Sequence, residues 1–242
     1  NKKVDRKKIN ITSNVNFLNK DGFKHFMEKE IHQQPNALIN TISSLILKDI
    51  DINISPEKLN IKGHGGKMII FGAGPIGIML GLLAKCFYKI DSVDYVEVSE
   101  YRRNFLDSLE IADKLITPDY LKDNINNFIN SYQYVITACS AIETHDMGIS
   151  LLANGGSINF FGGLAKPAPS ILINTNEIHY KELTLTGSHG STPLQHSKAI
   201  DFIVENPDFF KELITHRYKL NDINDAFNLA SSGEGIKILI KP

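Results

Sequence analysis

The sequence predicts an α/β fold, a parallel sheet doubly wound by helices, preceded by a short N-terminal helical segment. Three observations predict it. From Lys67 onward, short apolar β-rich runs alternate with helical patterns, the arrangement that builds a parallel sheet through crossover helices. The run Met68–Phe71 leads directly into Gly72-Ala73-Gly74-Pro75-Ile76-Gly77, which has G-x-G-x-x-G spacing. Glu97 stands at the end of the next β-rich run, about 20 residues on, the separation expected between such a turn and its acidic partner.

Composition fits this class. With 242 residues, 42% apolar and 22% charged, the chain has material for one full domain and a smaller segment at roughly 150 residues per domain. A net charge of −1 speaks against a nucleic-acid or anionic-membrane footprint. Two cysteines, Cys86 and Cys139, are too few for a disulfide framework or a four-thiolate zinc site, and they suit a reducing compartment, by default the cytoplasm. The uncharged stretch Met68–Ala84 falls short of the ~20 residues of a membrane helix, and Gly72, Gly74, Pro75 and Gly77 interrupt it. The chain opens on Asn with no apolar signal-peptide core behind it, which fits a piece of a longer or chimeric reading frame.

Residues 1–64 read as a helical segment and linker. Lys2–Lys8 is a basic opening suited to solvent. Phe23, Phe26, Met27 and Ile31 recur at helical spacing between Asp21 and Gln34, where Pro35 stops the helix. A second helix over Ala37–Leu47 places Leu38, Ile42, Leu45 and Ile46 on one face. Two short amphipathic helices bury little alone, so this segment is expected to dock on a larger body. Ser55-Pro56 and Gly63-His64-Gly65-Gly66 read as linker.

Residues 65–242 form the second unit. Strands are expected at 68–71, 93–98, 114–117, 133–138, 157–161 and 183–187, and helices at 75–87, 100–109, 119–130, 141–153 and 193–204. Ser99, with Glu100 in the first turn, and Thr192 before Pro193 are the expected helix starts. Over about 220–242, a return helix Asp222–Ala230 leads through Gly233 to a last strand, Ile236–Ile240.

Within the glycine turn each position has a physical task. Gly72 permits the tight bend, Gly74 lets a pyrophosphate approach the backbone, and Gly77 permits close packing of helix on strand. The helix entered through Pro75 and Ile76 offers free N–H groups and a partial positive charge to phosphates. Glu97 is placed to accept hydrogen bonds from ribose hydroxyls, and NAD(H) is the cofactor so implied.

The stretches GAGPIG at 72–77, VEVSEYRRN at 96–104, LLANGGSINFFGG at 151–163, IHYKELTLTGSHG at 178–190 and DINDAFNLASSGEGIKILIKP at 222–242 carry a resemblance. Residues 67–242 resemble the nucleotide-binding half of a zinc-dependent medium-chain alcohol/polyol dehydrogenase of the sorbitol or threonine dehydrogenase kind. The resemblance implies an NAD-binding Rossmann domain and an oxidoreductase reaction, hydride passing between a secondary alcohol, a polyol or sugar alcohol, and the nicotinamide. It implies that Ile76 touches the pyrophosphate region and Glu97, where the family usually has Asp, the adenosine ribose. Arg102 would lie along the adenosine side, and Phe161, Gly162, Gly163, Ser188 and His189 would line the nicotinamide end. Phe161 also suits a core position at the end of a buried strand, and His189 an ordinary loop position. The resemblance further implies a homodimer through the sheet edge at Leu183–Gly187, since an unpaired edge would expose Leu183, Leu185 and a row of backbone groups.

The family's chemistry calls for a catalytic zinc with three protein ligands and a position open to the alcohol oxygen. No such set precedes Lys67. His25, His32 and His64 have no cysteine nearby, so no catalytic or metal-ligating residue is assigned, and this chain alone is expected to hold no stoichiometric zinc. Gly22–Ala37 is instead similar to the segment joining the glutaminase and isomerase domains of glutamine–fructose-6-phosphate aminotransferase, a resemblance spanning residues 1–60 that brings no catalytic group. A non-catalytic NAD-binding scaffold and a truncated or chimeric product are the alternatives to a dehydrogenase.

Overall fold

The computed structural model describes residues 65–164 and 170–242. The helices expected before Pro35 and over Ala37–Leu47 lie outside the described residues.

Strand β1 (Lys67–Phe71) is buried at every position after Lys67, as a strand covered on both faces must be. Around it the chain lays down β2 (Ser92–Val96), β3 (Lys114–Ile116), β4 (Tyr132–Thr137), β5 (Leu152–Phe160) and β6 (Thr184–Gly187). All pair in parallel, in the order β3-β2-β1-β4-β5-β6. This is the doubly wound order, and its direction reverses between β1 and β4.

Helices α1 (Pro75–Cys86) and α2 (Glu100–Ser108) cover one face, where Met68, Ile70, Tyr95 and Ile136 meet Ile78, Leu82 and Leu106. Ile69, Phe71, Val135 and Ile158 on the other face meet Leu121 of α3 (Pro118–Asp123) and Ile149 of α4 (Glu143–Ser150). Each fully buried Ile or Leu stabilises the fold by roughly 1.5–3 kcal/mol relative to exposure. Both expected N-caps are present: Ser99 Oγ accepts from Arg102 N, and Thr192 forms a capping box with Gln195 at α6 (Pro193–Glu205).

Several boundaries differ from expectation. The helix expected over 119–130 stops at Asp123, because the Asn124 side-chain amide donates to the Tyr120 carbonyl (2.9 Å) and a 3₁₀ turn, Ile125–Asn127, follows. The helix expected over 141–153 runs only to Ser150. Leu152 already pairs with Tyr132, and a register shift after that pair brings Ser157 opposite Tyr134. Strand β2 ends at Val96, before Glu97, whose side chain turns back on the glycine turn.

Three further elements had no counterpart in the sequence reading: α5 (Thr175–Lys181), α7 (Pro207–Lys211) and β7 (Ile214–Lys219). Beyond α8 (Ile223–Ser232), which ends at Gly233 with a left-handed φ of +77°, the last strand β8 (Lys237–Lys241) pairs in parallel with β7 as a separate two-stranded sheet. Leu213 and Ile236, at the entries to these strands, anchor this small sheet in the α1/α2-side core.

β6 is an edge of the large sheet, as expected. The side chains there are not what the edge exposes: Leu183 is buried and Leu185 packs on the α3/α4-side core. Side chains stand perpendicular to a sheet, so an edge bares backbone groups while the residues still fill the faces.

Candidate dinucleotide-binding crevice

The glycine turn closes directly on the C-terminal end of β1. Gly72 N donates to the Val96 carbonyl (2.8 Å) with φ at +98°, a conformation that L side chains rarely adopt. A Cβ there would press on the Ala138 carbonyl and on Cys139 Cβ, both at 3.1 Å, so the turn and the segment after β4 are in contact. Gly74 is the N-cap of α1, and a Cβ on it would meet nothing within 4 Å, so the turn faces open space there. Pro75 occupies the first helical turn, where the helix lacks both an acidic residue and intrahelical partners for its leading N–H groups. Ile76 is half-buried against the core.

Glu97 is buried (4% exposed) and grips this turn. Its Oε2 accepts from Ala73 N at 2.6 Å and its Oε1 from Ser99 N at 2.8 Å. Arg102 Nη1 stands 3.9 Å from Oε2, and the Arg102 Nε has no partner among the described residues. Arg103 Nη1 donates to the carbonyls of Glu97 (2.8 Å) and Val98 (2.7 Å) and is therefore tied to the backbone. Replacing Glu97 with glutamine leaves one of the two N–H groups without its carboxylate oxygen. Thermal unfolding is expected to register a loss of about 1–2 kcal/mol, and an unchanged Tm would mean these contacts are dispensable.

The opposite wall comes from the ends of β4 and β5. Gly162 N donates to the Thr137 carbonyl (2.7 Å), and a Cβ at Gly162 would collide with the backbone of Cys139. Phe161 is half-buried and packs on the α1/α2-side core, whereas Gly163 is exposed with open space around it. Phe160 pairs with Gly187 in the ladder, which brings Ser188 and the exposed His189 to the same end of the sheet. Ser188 Oγ accepts from Asn159 Nδ2 at 2.9 Å. The loops after β1, β4 and β5 thus meet at the point where strand order reverses, with the loop after β6 farther along the same rim.

Sequence reading missed the polar residues behind this rim. Asn159 is fully buried in β5, and its Oδ1 has no partner among the described residues. Thr137 Oγ1 and His145 Nε2 are likewise without partners, and the His145 ring lies 4.8 Å from that of Phe160. Burial lowers the His145 pKa, with the Gly162 backbone opposing the shift. The available signal was a polar residue inside the apolar run of a central parallel strand. Among the described residues no three His, Cys, Asp or Glu side chains come together as a metal site, and no helix is long and apolar enough to cross a membrane.

A parallel sheet in this order with a glycine turn and a buried acid at its switch point defines a dinucleotide-binding domain. Residues 75–205, more than half of the chain, match the zinc-binding dehydrogenase family, and the chain belongs to it. A sorbitol dehydrogenase of Halalkalibacterium halodurans is 26% identical over 181 residues, which are 74% of this chain and 52% of that protein. The chain therefore spans about half the length of the curated relatives it matches. Its fold is shared with an alcohol dehydrogenase of Escherichia coli complexed with NADH (TM-score 0.67, 18% identity, 86% of this chain and 58% of that one). It is shared equally with Staphylococcus aureus TarJ in complex with NADPH (TM-score 0.65, 18% identity, 86% and 62%). None of these proteins is an aminotransferase, and the segment with that resemblance lies outside the described residues.

Proposed function

We propose that the chain binds NAD(H) across the C-terminal ends of β1, β4, β5 and β6 and forms the nucleotide-binding half of an alcohol or polyol dehydrogenase. The observation that carries this reading is the placement of the G-x-G-x-x-G turn at the switch point, held there by the Glu97–Ala73 bond. The pyrophosphate would lie over Gly74 and the N-terminus of α1, bounded by Gly72, Pro75, Ile76 and Gly77, where backbone N–H groups and the helix dipole favour anionic oxygens. Glu97 would take the adenosine ribose and Arg102 the adenosine side. Phe161, Gly162, Gly163, Ser188 and His189 would flank the nicotinamide, whose C4 exchanges hydride with a secondary alcohol when the cofactor is bound. In this reading the part of the described residues is to bind and orient the dinucleotide. Free Cys86 and Cys139 suit the cytoplasm.

Fluorescence titration of the full chain with both reduced cofactors tests the reading. NADH is expected to bind at least about tenfold tighter than NADPH, because Glu97 would face the 2′-phosphate and a like-charge contact of that kind costs several kcal/mol. Arg103 spends Nη1 on the Glu97 and Val98 carbonyls, and Arg102 and Arg103 work against this preference, since a nearby arginine can accept the phosphate. Equal or tighter NADPH binding overturns the preference, and saturable binding of neither overturns the site.

We also propose that two copies pair along β6, where the backbone groups of an edge strand favour a two-fold contact. Light scattering on the full chain is expected to give twice the chain mass. A clean monomer at micromolar concentration counts against it.

A further inference from the structure

Asn159 stands where packing alone would place Val or Ile, in a strand paired on both sides, opposite Ile136 of β4 and Thr186 of β6. It is wholly buried. Its Nδ2 donates to Thr186 Oγ1 (3.1 Å) and to Ser188 Oγ (2.9 Å). Thr186 in turn gives its own proton to the Ile158 carbonyl (3.0 Å), so its oxygen can only accept from Asn159. That fixes the amide with its nitrogen toward β6 and the rim. Both amide protons are then used, and Oδ1 is left without a partner among the described residues. Because Ser188 Oγ receives one of these protons, its own hydroxyl proton is turned away from Asn159.

We infer that Asn159 is a positioning residue for the nicotinamide end of the crevice. It holds Ser188 so that the serine hydroxyl proton is presented to the carbonyl oxygen of the nicotinamide carboxamide. This rests on the dinucleotide reading proposed above. A buried amide that spends both protons on a rim loop, while leaving its own acceptor unmatched, is a poor way to stabilise a strand and an effective way to orient that loop.

The test compares NADH with ADP-ribose, which has the pyrophosphate and adenosine but no nicotinamide, on the full chain and on Asn159→Val, Ser188→Ala and the double variant. Each single variant is expected to weaken NADH about tenfold, the order of one hydrogen bond, and to leave ADP-ribose within about twofold. The double variant is expected to be no weaker than either single one, since the two residues act in series. Equal loss of both ligands, or no loss, in Asn159→Val overturns the inference, as do multiplying losses in the double variant. Ser188→Ala changes only a half-buried loop side chain and keeps the test decisive if Asn159→Val folds poorly: unchanged NADH affinity there also overturns it. A wild-type chain that binds ADP-ribose but not NADH defeats the inference alone, whereas one that binds neither defeats the dinucleotide reading with it.

Discussion

Gly74→Val is expected to weaken NADH binding by about 100-fold, roughly 2.7 kcal/mol, while Tm stays within about 2 °C of the parent. The side chain meets nothing in the folded protein, since even a Cβ at Gly74 has no neighbour within 4 Å. Its backbone, at φ −71° and ψ 178°, is extended, which any residue adopts and which suits the position before Pro75. Valine is a poorer N-cap than glycine, and this is the one source of the small loss in Tm allowed here. What the valine fills is the space through which the pyrophosphate reaches the leading N–H groups of α1. Isothermal titration beside thermal unfolding separates the two effects, and full NADH affinity in this variant would mean that the phosphates lie elsewhere.

Gly77→Ala is expected to fail differently, losing stability and binding together. Its new Cβ would fall on the carbonyl oxygen of Gly72 and lie 3.0 Å from the carbonyl carbon. That carbonyl cannot retreat freely, because Gly72 N is bonded to Val96 and the other side of the turn abuts Ala138 and Cys139. Tyr95, fully buried below, also donates its hydroxyl to the Gly77 carbonyl at 3.1 Å, fixing the helix from beneath. Overpacking of this kind costs about 2–3 kcal/mol and should lower Tm by roughly 5–10 °C. A variant with parental Tm would show that helix and turn can slide apart at no cost.

The contrast between these two glycines marks how far the sequence was legible. The spacing of Gly72, Gly74 and Gly77 after a four-residue apolar run specified turn, helix entry and strand, and Glu97 arrived where the motif required. The central strands of the large sheet were legible because buried parallel strands are nearly continuous apolar runs, as in Met68–Phe71, whereas β6, Thr-Leu-Thr-Gly, is only a short alternating run. β7 was not: Ile-Thr-His-Arg-Tyr-Lys has only weak alternation and owes its extended form to pairing with β8, which no local pattern records. α5 is a seven-residue helix of mostly polar residues, too short for periodicity to show. Leu151 and Leu152 extended the expected helix past Ser150 because helix and buried strand draw on the same residues. At the site, the glycines and Glu97 were readable from spacing. Asn159 and Ser188 depend on cross-strand register, which places residues from distant stretches side by side only after the sheet exists.

The position of the crevice between β1 and β4 also sets when it comes into being during synthesis. Met68 pairs with Val93 on one side and with Tyr134 on the other. A ribosome releases the first partner soon after the glycine turn, but the second only after β2, α2, β3 and α3 have emerged. At the usual ~5–20 residues per second, the glycine turn is therefore synthesised several seconds before Ala138 and Cys139 arrive to wall it in. During that interval one flank of β1 is an unpaired apolar edge, open to strands from other chains. NADH cannot shield it, because the ligand's own site is completed by the same strand that closes the edge.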